Sequence, residues 1–316
     1  MPVLLVIVGL AVLLVGAHVM VEGGTGLAVW LGIRPMVIGL TVVSLGTSLP
    51  ELAVGIDAVA GGSPGIAVGN IVGTNLVNIM FILGLSAAIV PVVFHTQTLR
   101  FDLPAMTAAA VVLVLLSLDG HLGRGDGLLL LAGAVAYTAA LVWLSRRAET
   151  DESEEPQLRA DGRSRPVAAI VRLVVGIVAI VAGAELLVDG AAEGAEALGV
   201  SEAVVGLTVV AIGTSAPELV TTLVSTVRGD RDIALGNLLG SSIYNIAFVL
   251  GLTVAVAPGG VPVPDEVLGS DLVLMLVVAL AAVPAFLTGA RVSRAEGVLF
   301  VAAYLGYLTW LVVART

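Results

Sequence analysis

Two glutamates lie inside long apolar stretches and are the residues of this sequence best placed to do chemistry. Glu51 and Glu218 each end the same short pattern, Gly-Thr-Ser-x-Pro-Glu. An ionised carboxylate in apolar surroundings is costly unless it is paired, hydrated or bound to a cation. Two such acids in equivalent positions therefore predict a shared cation site. The alternative is a pair of protonated, purely structural glutamates.

Oxygen-bearing side chains precede each glutamate at helical spacing, so they share nearly one face of a helix. The proline inside each pattern lacks a backbone N–H, which frees carbonyl groups one turn earlier to bind a hard cation. The side chains are Ser44, Thr47 and Ser48 before Glu51, and Thr214 and Ser215 before Glu218, with Ala211 in place of the first serine.

A second polar set follows each glutamate, with a member at every fourth residue and therefore on one helix face. The members are Asn70, Thr74 and Asn78 in the first copy, and Asn237, Ser241 and Asn245 in the second. Hydrogen bonding between helices is an equally good interpretation of Asn70 and Asn237. We expect Asn78 and Asn245 to complete the oxygen set around the glutamates. Close helix approach is predicted at Gly69 with Gly73 and at Gly236 with Gly240.

This donor set consists of carboxylate, hydroxyl, amide and carbonyl oxygens, which suit Ca²⁺ or Na⁺ rather than zinc or copper. One Ca²⁺, two Na⁺ or two protons would neutralise the two ionised glutamates. An empty site would carry uncompensated charge through a low-dielectric barrier. Reorientation of the site should therefore require a bound ion, which favours an exchanger over a leak.

The composition places these residues in a membrane. The 316 residues are 58% hydrophobic and 12% charged, with a mean hydropathy of +1.10, far from the values of soluble domains. The chain has no Cys and no Lys, which excludes disulfides, thiol catalysis and lysine-dependent ATPases within it. A net charge of −10 argues against nucleic acid as a partner.

Ten apolar stretches are long enough to cross a bilayer. They lie near 2–21, 35–60, 65–91, 104–119, 126–145, 167–190, 203–227, 233–256, 271–288 and 294–314. The first lacks the basic start and cleavage pattern of a signal peptide, so we expect a retained helix. Twelve of the 14 arginines fall on one side of this layout. The positive-inside rule then predicts a cell-membrane protein with both termini outside and the polar 146–166 linker in the cytoplasm.

The chain repeats itself at an offset of 167 residues. The stretch 39–52 matches 206–219, and 69–85 matches 236–252, with Gly, Thr, Ser, Pro, Glu and Asn among the shared residues. Each half contains five spans, and an odd number inverts the second half. The predicted fold is an all-α polytopic membrane protein with ten transmembrane helices in two inverted five-helix repeats. The predicted domains are 1–145, with a motif region at 39–85, the linker 146–166, and 167–316, with a motif region at 206–252.

The duplicated Gly-Thr-Ser-x-Pro-Glu and Gly-Asn-x-x-Gly-[Ser/Thr] segments resemble the α-repeats of the cation/calcium exchanger superfamily, most closely the prokaryotic sodium/calcium exchangers. The resemblance covers essentially the whole chain. It implies a central calcium site made by Thr47, Glu51, Thr214 and Glu218. It implies flanking sodium sites that use Ser44, Ser48, Thr74, Ser215, Ser241 and the carbonyl of Ala211, with Asn78 and Asn245 at the midplane.

The function expected from the residues and the resemblance is antiport that exports Ca²⁺ in exchange for Na⁺ by alternating access. The alternatives are proton-driven or potassium-dependent calcium exchange, a cation channel and, least favoured, an intramembrane hydrolase. We expect no enzymatic activity, no cofactor and a functional monomer. Family members often carry aspartate at the position of Asn245, which leaves the choice between Na⁺ and protons open. The resemblance also implies that spans 1 and 6 slide, and Gly-rich ends such as 23–26 would suit mobile junctions.

Overall fold

The computed structural model describes residues 2–94, 98–151, 166–197, 211–287 and 290–315. The described part of the first half contains α1 (Pro2–Leu31), α2 (Pro35–Ile38), α3 (Ser44–Thr47), α4 (Leu49–Ala60), α5 (Gly65–Leu76), α6 (Leu83–Ile89), β1 (Val92–Val93), α7 (Leu103–Leu116), β2 (His121–Leu122) and α8 (Arg124–Asp151). The predicted linker overlaps the end of α8, and its residues 152–165 lie outside the described residues, so the linker stays a prediction.

The second half mirrors this order. Its described elements are α9 (Pro166–Ala197), α10 (Ala211–Thr214), α11 (Ala216–Arg228), α12 (Arg231–Tyr244), α13 (Gly251–Val256), β3 (Val261–Pro262), α14 (Leu272–Leu287), β4 (Arg291–Val292) and α15 (Arg294–Arg315). The predicted second motif region begins at 206, and its first five residues lie outside the described part of the chain.

Wide π-helical segments interrupt several of these helices. They are Gly39–Val43, Val77–Ile82, Thr98–Asp102, Asn245–Leu250 and Val267–Asp271. Segments of this kind insert an extra residue into a helical turn and are frequent at functional sites. The second and fourth contain the predicted ligands Asn78 and Asn245.

The chain packs as two compact units, and each unit combines segments from both halves of the sequence. The first unit consists of Met1–Pro50 and Ala134–Ser241, and the second of Glu51–Gly133 and Ser242–Thr316. The packing units therefore differ from the sequence repeats. The two glutamates are divided between them, with Glu218 in the first unit and Glu51 in the second.

In the first unit, glycines let α1 and α9 pack backbone against backbone. A Cβ atom at Gly9 would lie 2.6 Å from the backbone nitrogen of Leu187, and one at Gly183 would lie 2.7 Å from that of Leu13. The two helices are antiparallel, because residues late in one meet residues early in the other. The glycines recur every seven residues at equivalent positions of the two repeats: Gly9, Gly16 and Gly23 on α1, and Gly176, Gly183 and Gly190 on α9.

The α1–α9 pair buries an apolar core that includes two residues of α11, Ala216 and Val220. The pair also corrects one expectation. Residues 23–26 are not a junction at the end of a span, because α1 continues to Leu31. A Cβ atom at Gly23 would lie 2.8 Å from the carbonyl oxygen of Ala169 on α9. The glycine serves close packing at this position.

In the second unit, glycines again bring helices together, and short strands pair near the helix ends. A Cβ atom at Gly84 of α6 would lie 2.9 Å from the carbonyl oxygen of Gly297 in α15. The strands β1 and β4 pair antiparallel, as do β2 and β3. These two-residue pairings are minor additions to a helical fold.

Seven helical stretches of the described residues are long and apolar enough to cross a membrane. They match seven of the ten predicted spans: Pro2–Leu31, Pro35–Ala60, Gly65–Ile89, Thr98–Leu116, Arg124–Ser145, Pro166–Gly194 and Arg231–Val256. Of the other predicted spans, 203–227 lies partly outside the described residues. The span at 271–288 falls on α14, and the span at 294–314 falls on the 22-residue helix α15.

Candidate cation site

Both glutamates follow a local break in the backbone helix. In the second repeat, α10 ends at Thr214 and α11 begins at Ala216, while Ser215 between them has φ −86° and ψ 2°. In the first repeat the break falls at Ser48, with φ −85° and ψ 7°. The prolines of the two motifs lie two residues after these serines, as expected for residues that cannot donate a backbone hydrogen bond. Each break therefore lies three residues before its glutamate.

In the first unit, the Glu218 carboxylate is buried among hydroxyl groups. Its side chain is 1% exposed, and its Oε1 accepts a hydrogen bond from Ser48 Oγ at 3.3 Å. The hydroxyls of Thr47 and Ser241 also face this carboxyl group. Its Oε2 has no hydrogen-bond partner among the described residues. One carboxylate oxygen thus has a hydrogen bond and the other has none, and neutral hydroxyl oxygens lie around the group. This arrangement suits the binding of a hard cation.

Asn237 holds these hydroxyls in place. Thr47 Oγ1 lies 3.1 Å from Asn237 Oδ1, to which it donates, and 3.3 Å from Ser241 Oγ. The amide nitrogen of Asn237 donates to Thr222 Oγ1 at 3.2 Å. The sequence left the role of Asn237 open, and the structure shows hydrogen bonding between helices. Thr222 was missed, because nothing in the repeat pattern marks it.

Ser44 contacts backbone carbonyls in this structure. Its hydroxyl lies 2.6 Å from the carbonyl oxygen of Gly39, and 3.3 and 3.2 Å from those of Gly236 and Asn237. The single hydroxyl hydrogen is therefore used within the protein, while the oxygen keeps lone pairs that could bind an ion. A side chain at Gly240 would collide with Ser44 Oγ, so this glycine makes room for the serine.

The predicted close approach is present at the second glycine pair. A Cβ atom at Gly236 would lie 2.7 Å from the carbonyl oxygen of Met36. Among the described residues, a Cβ atom at Gly69 would lie 3.8 Å from Val267 Cγ2, so close approach at Gly69 and Gly73 stays a prediction. Ser215 Oγ is buried with no hydrogen-bond partner in the described ranges. Thr214 is also buried, and Ala211 begins α10.

The other predicted ligands belong to the second unit, and all four are buried. Glu51, Asn78 and Asn245 are 0% exposed and Thr74 is 2% exposed. The side-chain amides of both asparagines lack hydrogen-bond partners within the described part of the chain. Because a buried amide without partners is costly, these side chains are available to bind a ligand. The segment Asn245–Leu250 packs against α5, the helix that carries Thr74.

Comparison with known proteins places the chain in a family. A family model for sodium/calcium exchanger proteins matches residues 1–143 and 168–313. The inner membrane protein YrbG of Escherichia coli is 36% identical over 97% of this chain and 94% of its own length. The sodium/calcium exchanger MaX1 of Methanosarcina acetivorans is 30% identical over 98% of this chain and 97% of its own length.

A solved structure gives the same result. The sodium-calcium exchanger NCX_Mj, studied with Na⁺ and Ca²⁺, aligns with a TM-score of 0.85 and 29% identity over 98% of both chains. The chain belongs to the sodium/calcium exchanger protein family. This confirms the predicted fold of ten transmembrane helices in two inverted five-helix repeats.

Proposed function

We propose that the chain is a secondary-active antiporter that exports Ca²⁺ from the cytoplasm in exchange for Na⁺. The observation that carries this is the Glu218 carboxylate, which is buried in the first unit with one oxygen bonded to Ser48 and the other without a partner in the described residues. An ionised carboxylate buried in this way requires a counter-cation. Because the chain belongs to the sodium/calcium exchanger protein family, the proposed cations are Na⁺ and Ca²⁺.

The proposed calcium ligands are Glu51, Glu218, Thr47 and Thr214. The proposed sodium ligands are Ser44, Ser48, Thr74, Ser215, Ser241 and the carbonyl of Ala211, with Asn78 and Asn245 between them. The burial of Glu51 and Glu218 and their equivalent positions in the two repeats support this assignment. Hard oxygen ligands without sulfur or imidazole suit both ions.

Alternating access is the proposed mechanism, with α1 and α9 moving as one body. Their glycine contacts join the two backbones directly, so sliding of one helix carries the other. We propose that both termini lie outside and that residues 146–166 lie in the cytoplasm, because arginine is concentrated on that side. The chain is proposed to work as a monomer, without a cofactor and without enzymatic activity.

Proteoliposomes test the choice of coupling ion. Purified protein is reconstituted in vesicles loaded with Na⁺, and ⁴⁵Ca²⁺ uptake is measured after dilution into Na⁺-free buffer. We expect uptake that requires internal Na⁺ and vanishes when choline replaces it. Separate vesicles carry a pH gradient or internal K⁺ in place of Na⁺. Equal uptake in either of those vesicles would reject Na⁺ coupling, and single-channel currents in planar bilayers would reject antiport.

A further inference from the structure

A row of hydroxyl side chains continues from Glu218 along α11, beyond the residues proposed above as ligands. Residues three, four and seven positions after a helical residue lie on its own face. On α11 these positions are Thr221, Thr222 and Ser225, and Thr226 is adjacent. At 1.5 Å per residue the row extends about 10 Å from Glu218 toward the C-terminal end of the helix.

The opposite face of α11 is apolar. Ala216 and Val220 belong to the core shared with α1 and α9, and Val224 packs against it. The helix thus has an apolar face, on which Val224 is partly buried, and a hydroxyl face that is buried. Burial of a hydroxyl face is expensive unless its oxygens find partners.

The hydroxyl face is only partly satisfied by the protein. Thr222 accepts the Asn237 amide at 3.2 Å, and Thr226 Oγ1 donates to the carbonyl oxygen of Thr222 at 2.7 Å. The hydroxyls of Thr221 and Ser225 have no hydrogen-bond partner among the described residues, and both side chains are 0% exposed. Buried polar oxygens without protein partners are the usual sites of bound water or ions.

The row ends near charged, partly exposed side chains at the C-terminal end of α11. Gly229 closes α11 in the left-handed conformation, with φ 84°. Arg228 lies 3.5 Å from Asp230 and 3.6 Å from Glu22 of α1. These side chains are about one-third exposed, which marks the polar end of the row.

The first repeat has no such row. The positions equivalent to Thr221, Thr222, Ser225 and Thr226 are Val54, Gly55, Ala58 and Val59. The hydroxyls are therefore an addition of the second repeat and do not belong to the motif that both repeats share.

We propose that the hydroxyl face of α11 is a hydrated path that carries Na⁺ and Ca²⁺ between the Arg228 end of the helix and Glu218. The proposal rests on the function proposed above, since it needs a cation at Glu218. Neutral hydroxyls can replace waters of a cation's hydration shell one at a time without trapping the ion as a carboxylate would.

Cysteine accessibility tests this path directly, because the native chain contains no cysteine. Thr221→Cys and Ser225→Cys place thiols on the hydroxyl face, and Val220→Cys and Val224→Cys are the matched controls on the apolar face. A charged, membrane-impermeant methanethiosulfonate reagent is applied to sealed vesicles of known orientation. Size-exclusion elution in detergent verifies that each variant is folded.

We expect the two hydroxyl-face cysteines to react at least about tenfold faster than the controls, because a thiol reacts only where water and reagent reach it. The reaction should occur from the membrane face at which Arg228 lies. Rates equal to those of the valine positions, or equal from both faces, would overturn the path. Labelling needs no transport. Labelling without ⁴⁵Ca²⁺ exchange would therefore refute the proposed function while showing that water reaches this face, and exchange without labelling would refute only the path.

Discussion

The two copies of the glutamate motif share most of their proposed ligand residues and differ in the helical turns after the glutamate. After Glu218, α11 carries buried hydroxyls, and Thr222 accepts a hydrogen bond from Asn237. After Glu51, the position of Thr222 is occupied by Gly55, where a Cβ atom would lie 2.7 Å from Thr253 Oγ1. One repeat uses the position for a hydrogen bond and the other for close helix packing. The difference shows that the site residues are largely held in common, while their surroundings have diverged.

The largest effect on transport is expected when either of the two equivalent glutamates is replaced. Glu51→Gln and Glu218→Gln should each reduce Na⁺-dependent ⁴⁵Ca²⁺ uptake to the level of empty liposomes, because each removes a charge that the cation must balance. Equal losses would show that the two halves contribute alike to the site.

The matched control is Glu266→Gln, which changes an exposed acid outside the proposed site and should transport normally. Normal transport by both motif variants would contradict the assignment of the site.

The next largest effect is expected on stability, at the glycine contacts between α1 and α9, which occur at equivalent positions of the two repeats. Gly16→Ala on α1 and Gly183→Ala on α9 add a methyl group where a Cβ atom would lie 2.9 and 2.7 Å from backbone nitrogens. Each should lower the free energy of unfolding by about 1–3 kcal/mol, as overpacking does. Thermal unfolding in detergent measures this.

Val15→Ala changes an exposed residue of α1 and serves as the comparison for these glycine variants. If the glycine variants unfold at the same temperature as Val15→Ala, the backbone contact between α1 and α9 is not as described.

The smallest expected effect is a difference in stability between equivalent asparagine variants of the two repeats. Asn237→Ala removes the bridge between Thr47 and Thr222 and should cost about 1–2 kcal/mol of stability, the range for a buried hydrogen-bonded group. Asn70→Ala, at the equivalent position, should cost less, because the Asn70 amide nitrogen has no partner in the described residues. Denaturant titration of the two variants gives the difference, and a larger loss for Asn70→Ala would reverse the comparison.

Much of the candidate site could be predicted from residue types and spacing. The break before each glutamate follows from its proline, and the choice of Thr47, Ser48 and Ser241 as candidate ligands follows from helical periodicity and the repeat. The role of Ser44 could not be predicted in this way, since its hydroxyl contacts carbonyls of residues 236 and 237, almost 200 positions later in the chain. The glycine contacts of α1 with α9 were also missed, although their seven-residue spacing is visible in the sequence.

The sequence by itself determined the membrane class, the inverted repeat and the kind of ion that its oxygen donors can bind, because hydropathy, periodicity and donor chemistry are properties of residues and their spacing. Only the tertiary structure decided which oxygens already have partners. Ser48 contacts Glu218 across 170 positions of the chain, whereas the hydroxyls of Thr221 and Ser225 have no hydrogen-bond partner in the described part of the protein. The physical reason is that a hydrogen bond depends on distances between atoms of separate helices, which spacing along a chain does not specify.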